Sequence, residues 1–232
     1  MELKNFEIIG ERISFQDIDK IAKLSNKTYE ENCITATLFD KPIYFSNEQL
    51  QNYSIDFWHM ASLENKDLKR RNNSDSYYNV KPCNNTSYSN KCTNCIEHLY
   101  PITIRNTNRD KCIYRMATIE WFGKIISEAN NSNTNIKIWK TDCLNSKRVI
   151  ETQVKIRYQK NETDYLIILK ETETTYYFIT AYPVFEHRQK LALDKEYRSK
   201  NSTIIKWTAV ACDAAGPNYP NGNWKNNIYY LY

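Results

Sequence analysis

The chain has 232 residues and a formal net charge of +5, from 32 Lys and Arg against 27 Asp and Glu. That length allows one large domain or two small ones, and the modest basic excess admits a polyanionic partner without requiring one. Four glycines and no G-x-x-x-x-G-K pattern exclude a P-loop, and no apolar run approaches the roughly 18–20 residues of a bilayer span.

Residues 1–11 intersperse charges and lack the apolar core of a signal peptide, so a cytoplasmic protein with no membrane partner is expected. The seven cysteines should then be reduced, which favours metal binding or plain burial over disulfides. Residues 1–54 read as a supporting α/β lobe. Ser14 is a candidate N-cap, Asp17 suits the positive end of a helix, and that helix should run to about Tyr29. Two strands follow, over 33–38 and 42–45, joined by a turn at Asp40-Lys41. Ser46-Asn47-Glu48-Gln49 has capping-box spacing, which predicts a second helix from there. Within 55–63, His59 sits among bulky apolar residues. Such a histidine is either a satisfied core or surface group or a general acid or base.

The polar stretch 64–82 carries Lys69-Arg70-Arg71 and reads as a solvated loop. After it comes Cys83-x8-Cys92-x2-Cys95-x2-His98, with Cys112 fourteen residues later. A Cys-x-x-Cys knuckle presents two sulfurs to one ion, and Cys83, His98 or Cys112 can complete a structural zinc site. The alternative is a loop with incidental thiols. Cys33, Cys143 and Cys212 stand apart and read as buried thiols.

Residues 111–199 organise the chain. A helix over 112–130 places Arg115, Ile119, Phe122, Ile126 and Ala129 on one face. Four runs then follow, over 135–140, 149–158, 164–170 and 175–184, separated by turn-like links. An amphipathic run over 186–198 closes the unit. Short links favour antiparallel neighbours, so the pattern predicts an α+β meander with helices packed on one face. The last strand alternates strictly. Tyr176, Phe178, Thr180 and Tyr182 fall on one face, and Tyr177, Ile179, Ala181 and Pro183 on the other. The first set forms either an open face for stacking bases or one side of a strand buried on both sides. Beyond 201, a strand over 203–210 precedes a Gly- and Pro-containing loop and an aromatic end expected to dock on the body.

Four of these stretches resemble a known family. They are Phe57-Trp58-His59-Met60, the run from Tyr114 to Ile126, Tyr165 to Leu169, and Ile179-Thr180-Ala181-Tyr182 before a basic helix. Together they are similar to the phage- and mobile-element-associated nucleases of the BECR fold, which groups barnase, EndoU, colicin-type tRNases and RelE-like toxins. The likeness covers 55–64 and 111–198, so 65–111 reads as a Cys-rich insertion in a nuclease core over 55–200, with 201–232 as a C-terminal strand and tail. The resemblance implies a helix followed by a four-stranded antiparallel sheet and a metal-independent endoribonuclease acting as a toxin or phage-defence effector. RNA, tRNA included, is the implied substrate, and an antitoxin or immunity protein the implied partner. It also implies a site of His59, Arg115, Thr180 and Tyr182. His59 would serve as general base or acid, Arg115 would bind the phosphate, Thr180 would bond a phosphate oxygen, and Tyr182 would orient a base or donate a proton. His187, Arg188 and Lys190 are secondary substrate-binding candidates. Two other readings stand beside this one: a non-catalytic nucleic-acid-binding protein with a zinc knuckle, and a protein-interaction module.

Overall fold

Strands β10 (Ile136–Leu144), β11 (Ile150–Lys160), β12 (Thr163–Glu171) and β13 (Tyr176–Pro183) form an antiparallel meander, as the short links predict. This computed structural model describes residues 3–4, 17–64, 69–71, 77–79, 83, 92–144, 148–201 and 210–211. Ser14, Cys212 and the aromatic tail lie outside the described residues, as does most of the strand expected over 203–210. Its end is β14 (Val210–Ala211), which pairs in parallel with β10.

The N-terminal region completes the sheet and one helix layer. Helix α1 (Ile18–Asn32) starts at Asp17, whose carboxylate accepts from the Lys20 amide at 3.3 Å. Strands β1 (Thr37–Leu38) and β2 (Lys41–Tyr44) turn through Phe39 and Asp40, both at positive φ. The β2 strand then adds in parallel to the free edge of β13, giving the order β1-β2-β13-β12-β11-β10-β14. The capping-box expectation at Ser46 fails. A short hairpin, β3 (Gln49–Leu50) and β4 (Tyr53–Ser54), occupies that stretch, and helix α2 (Ile55–Ala61) starts after Ser54. Ser54 is the better cap because its hydroxyl accepts from the Asp56 amide at 3.2 Å, whereas Ser46 Oγ accepts from Glu48 N within a turn. A small sheet, β5 (Ser62–Glu64), β9 (Thr107–Lys111) and β8 (Pro101–Ile104), and helix α3 (Asn94–Glu97) build part of the stretch read as an insertion. In the same stretch β6 (Lys69–Arg71) pairs with β7 (Tyr77–Asn79), so the basic triplet lies on a hairpin strand.

The single helix expected over 112–130 is two: α4 (Ile113–Ala117) and α5 (Trp121–Asn130). Thr118 ends the first. Its amide bonds Tyr114 O and Arg115 O, and its hydroxyl bonds Arg115 O at 3.1 Å, so the ladder tightens and breaks before Trp121. The predicted apolar face survives the break, with Ile119, Phe122, Ile126 and Ala129 all buried. Gly123 of α5 meets the end of α1, where a Cβ would overlap the Asn32 backbone carbonyl. A backbone atom cannot swing aside. Gly123→Ala should therefore cost about 1–3 kcal/mol despite alanine's higher helix propensity, read as a lower midpoint in urea at unchanged slope.

A β-bulge overturns the predicted alternation of β13. Ile168 opposes Thr180 while Leu169 opposes Phe178, which leaves Ile179 without a partner position. The extra residue reverses the parity beyond it. Tyr176 and Ala181 share the main core with Tyr165, Ile167 and Leu169, whereas Tyr182 joins Leu166 and Val184 on the other face. No open face of four aromatic and hydroxyl side chains exists there.

That second face is covered by helix α6 (His187–Asn201), so helices lie on both faces of the sheet and not on one. Leu193 and Tyr197 supply a small apolar contact. Ion pairs join the same attachment: Lys137–Asp194 at 3.0 Å, Lys155–Glu196 at 2.7 Å and Arg157–Asp194 at 3.2 Å. Arg157 is fully buried and is held in a two-point clasp by Asp164, at 2.8 and 2.7 Å. The result is a mixed α+β fold. Among the described residues no helix is long and apolar enough to cross a membrane.

Candidate functional site

Helix α2 buries Phe57, Trp58, Met60 and Ala61, and His59 is its one residue after Asp56 that is not fully buried. The ring borders a cleft of about 660 Å³ whose walls include Tyr44, Glu64, Arg105, Arg109, Tyr177 and Phe178. Its Nε2 lies 3.2 Å from Thr180 Oγ1. The bulge at Ile179 gives Thr180 its direction. On unbroken alternation Thr180 would share a face with Phe178, which stacks on Phe45 in the core.

Arg115, one turn into α4, is 5% exposed. Its Nη1 donates to Ser62 O at 2.7 Å, and its guanidinium lies over the Tyr182 ring at 5.8 Å. Among the described residues no carboxylate pairs with it, and its buried Nε has no partner. Tyr182 OH in turn accepts from Gln189 Nε2 at 3.1 Å. The four residues implied by the resemblance therefore form two contacting pairs, His59–Thr180 and Arg115–Tyr182. Only His59 of the four lines the cleft.

Burial pushes the His59 pKa well below its ordinary value, and Arg109, Arg115 and Arg105 push it the same way. The imidazole is neutral near pH 7. The cleft also carries the carboxylates of Glu64, which pairs with Arg109 at 3.2 Å, and Asp56.

Arg109, Glu64 and Arg105 were not legible as site residues. Arg109 is 4% exposed and braces the site through Ser62 Oγ at 2.7 Å, Ser62 O at 3.0 Å, His59 O at 3.2 Å and Glu64 Oε1 at 3.2 Å. It fixes the end of α2 and with it the His59 ring. The stretch 107–111 is polar throughout and carries no apolar pattern to mark Arg109 as buried.

The secondary candidates at the start of α6 lie elsewhere. His187 and Arg188 are exposed and do not line the cleft, and Lys190 Nζ faces Asp164 at 3.9 Å. Gln189, which was not singled out, is the residue of that turn that touches the site.

Cys83, Cys92, Cys95 and Cys112 are all buried. Burial raises the Cys112 pKa, and Cys92 adds to the rise against the opposing pull of Arg115. His98 ends α3 at φ 52° with its Nδ1 2.7 Å from Asp110 Oδ2. Among the described residues no group of three or more His, Cys, Asp or Glu is gathered to hold a metal. Cys33 is a buried free thiol as expected, but Cys143 is disulfide-bonded, contrary to its reading as a thiol.

Comparison with protein-family models, with curated proteins and with solved structures finds no match.

Proposed function

We propose that this chain is a metal-independent endoribonuclease with the BECR layout, in which α4 and α5 precede the β10–β13 meander. One observation carries the reading. A half-buried imidazole, neutral near pH 7, touches the Thr180 hydroxyl at the cleft and feels the charge of buried Arg115, which pairs with no carboxylate among the described residues. Burying an uncompensated guanidinium is costly, and an anion arriving with the substrate relieves that cost. A phosphodiester fits, because its charge increases in the pentavalent transition state where Arg115 can act.

The chemistry is transphosphoesterification. Neutral His59 takes the proton of the ribose 2′-OH, the oxygen attacks the adjacent phosphorus, and the P–O5′ bond breaks. The leaving 5′-oxygen takes up a proton from an acid or from water. Products are a 2′,3′-cyclic phosphate and a 5′-OH. Thr180 holds Nε2 and can bond a phosphate oxygen. Tyr182 backs the guanidinium through its ring. Arg109 is a positioning residue for His59.

Incubation with total tRNA and with a mixed-sequence RNA, each with and without EDTA, tests the proposal. Cleavage of either RNA that persists in EDTA supports it. Folded protein that cuts neither RNA in either condition would contradict it. An antitoxin or immunity protein as partner belongs to the same proposal, and it should block that cleavage.

A structural zinc belongs to the proposal as well. Four buried thiols form a suitable donor set, and binding would release the Cys112 proton that burial now holds. Protein purified without chelator should hold about one zinc per chain. A ratio near zero in reduced protein contradicts the zinc and leaves the catalytic proposal standing.

A further inference from the structure

Strands β2 and β13 run parallel and pair Tyr44 with Tyr177. The two rings stack with centroids 5.7 Å apart and planes 26° apart. They are 53% and 47% exposed, yet both line the cleft that holds His59. The other tyrosines of the sheet behave differently: Tyr158, Tyr165, Tyr176 and Tyr182 are all buried. Two large rings left half in water contribute little to the core, and a paired aromatic surface of this kind marks a place where something flat can lie.

The surroundings define what is flat and anionic together. Phe178 lies on the same cleft wall and meets His59 edge-on at 6.4 Å between centroids. Arg105, with a side chain 65% exposed and in a surface ion pair with Glu48 at 3.4 Å, lines the cleft too. Arg105 and Arg109 both line the cleft, so a phosphate backbone passing His59 has guanidinium groups within reach. Aromatic faces beside cations are the composition of a single-strand nucleic-acid platform: the rings take a base of any identity and the charges follow the backbone.

We propose that Tyr177 and Tyr44 form a base-stacking subsite for an unpaired nucleobase of an RNA strand, next to the phosphate cut at His59. The assignment of RNA rests on the ribonuclease reading above. The subsite selects single strands, because a duplex keeps its base faces covered by their neighbours. It tolerates different bases, because stacking uses the ring face and not the hydrogen-bonding edge.

Binding of a fluorescein-labelled 2′-O-methyl oligoribonucleotide tests it, since that strand lacks the attacking hydroxyl and is not consumed. Its competitors are a strand of equal phosphate count with abasic positions, and the same sequence as a duplex. Wild-type protein should bind the base-bearing strand about tenfold tighter than the abasic one. The Tyr44→Leu, Tyr177→Leu double variant should lose that difference while binding the abasic strand as wild type does. The Tyr44→Phe, Tyr177→Phe variant keeps both rings and should retain it. Both rings are exposed, so thermal melting should match wild type. Equal binding of base-bearing and abasic strands by wild type would overturn the subsite. So would a leucine variant that still discriminates, or a preference for the duplex. Stacking-dependent binding by protein that cleaves no RNA would retain the subsite and remove the ribonuclease reading.

Discussion

His59→Ala is expected to lower RNA cleavage by at least about a hundredfold, the low end of what a positioned general base supplies. The ring has little other work to do. Its neighbours on α2 carry the core contacts, and its side chain meets the Thr180 hydroxyl and the edge of Phe178. The variant should therefore fold normally, and its loss should appear in kcat more than in RNA affinity. Undiminished cleavage by the variant would remove His59 from the mechanism.

The pH dependence follows from the lowered pKa. A free histidine protonates near 6.5, whereas His59 stays neutral below that value. As the catalytic base it should keep kcat/KM level as the pH falls through 6.5, with the acid limb appearing only at lower pH. Stability moves in the matching sense. Between the two pKa values the unfolded chain binds the proton and the folded chain does not. The contribution of this group is therefore complete above 6.5 and is lost as the pH falls from 6.5 toward the folded pKa.

Arg115→Met is expected to cost about 10²–10³ in cleavage rate while leaving stability unchanged or slightly higher. Function and stability part here because the guanidinium is poorly satisfied in the free protein. Nη1 has one backbone carbonyl, Nε has no partner, and no carboxylate among the described residues neutralises the charge. Methionine fills similar volume over the Tyr182 ring without a buried charge. The substitution should also raise the His59 pKa, since Arg115 is one of the charges holding it down. A kcat/KM profile whose acid limb moves to higher pH, together with an unchanged melting temperature, would establish both effects. Lost folding with no specific change in the profile would mark Arg115 as structural.

The sequence carried much of the fold because its strongest signals are local. The four meander strands fall within a few residues of their expected positions, and their short links force antiparallel neighbours. What it did not carry depends on pairing across the chain. Nothing local in Tyr177-Phe178-Ile179-Thr180 announces a bulge; Ile179 is displaced by register against Ile168 and Leu169. The addition of β2 beside β13, which creates the Tyr44–Tyr177 pair, is likewise a long-range event. Placement of α6 on the second face depends on Arg157, Lys155 and Lys137 of the sheet finding Asp194 and Glu196. The alternation of β11 hides this, because buried charges read as solvent-facing ones.

The site shows the same division. His59 stood out as the polar member of an apolar helix, and Arg115 as a cation at the head of an apolar stripe. Arg109 and Glu64 did not, since each is recognisable only through its contacts with the other and with Ser62.

The most direct measurement is product-end analysis on an RNA with a single ribose linkage in an otherwise 2′-O-methyl strand, with wild type beside His59→Ala in EDTA. The account predicts a break at that linkage alone, with a 2′,3′-cyclic phosphate on one fragment and a 5′-OH on the other, both absent with the variant. Cleavage at 2′-O-methyl positions, or ends bearing 5′-phosphate and 3′-OH, would contradict attack by the 2′-oxygen and with it the proposed mechanism.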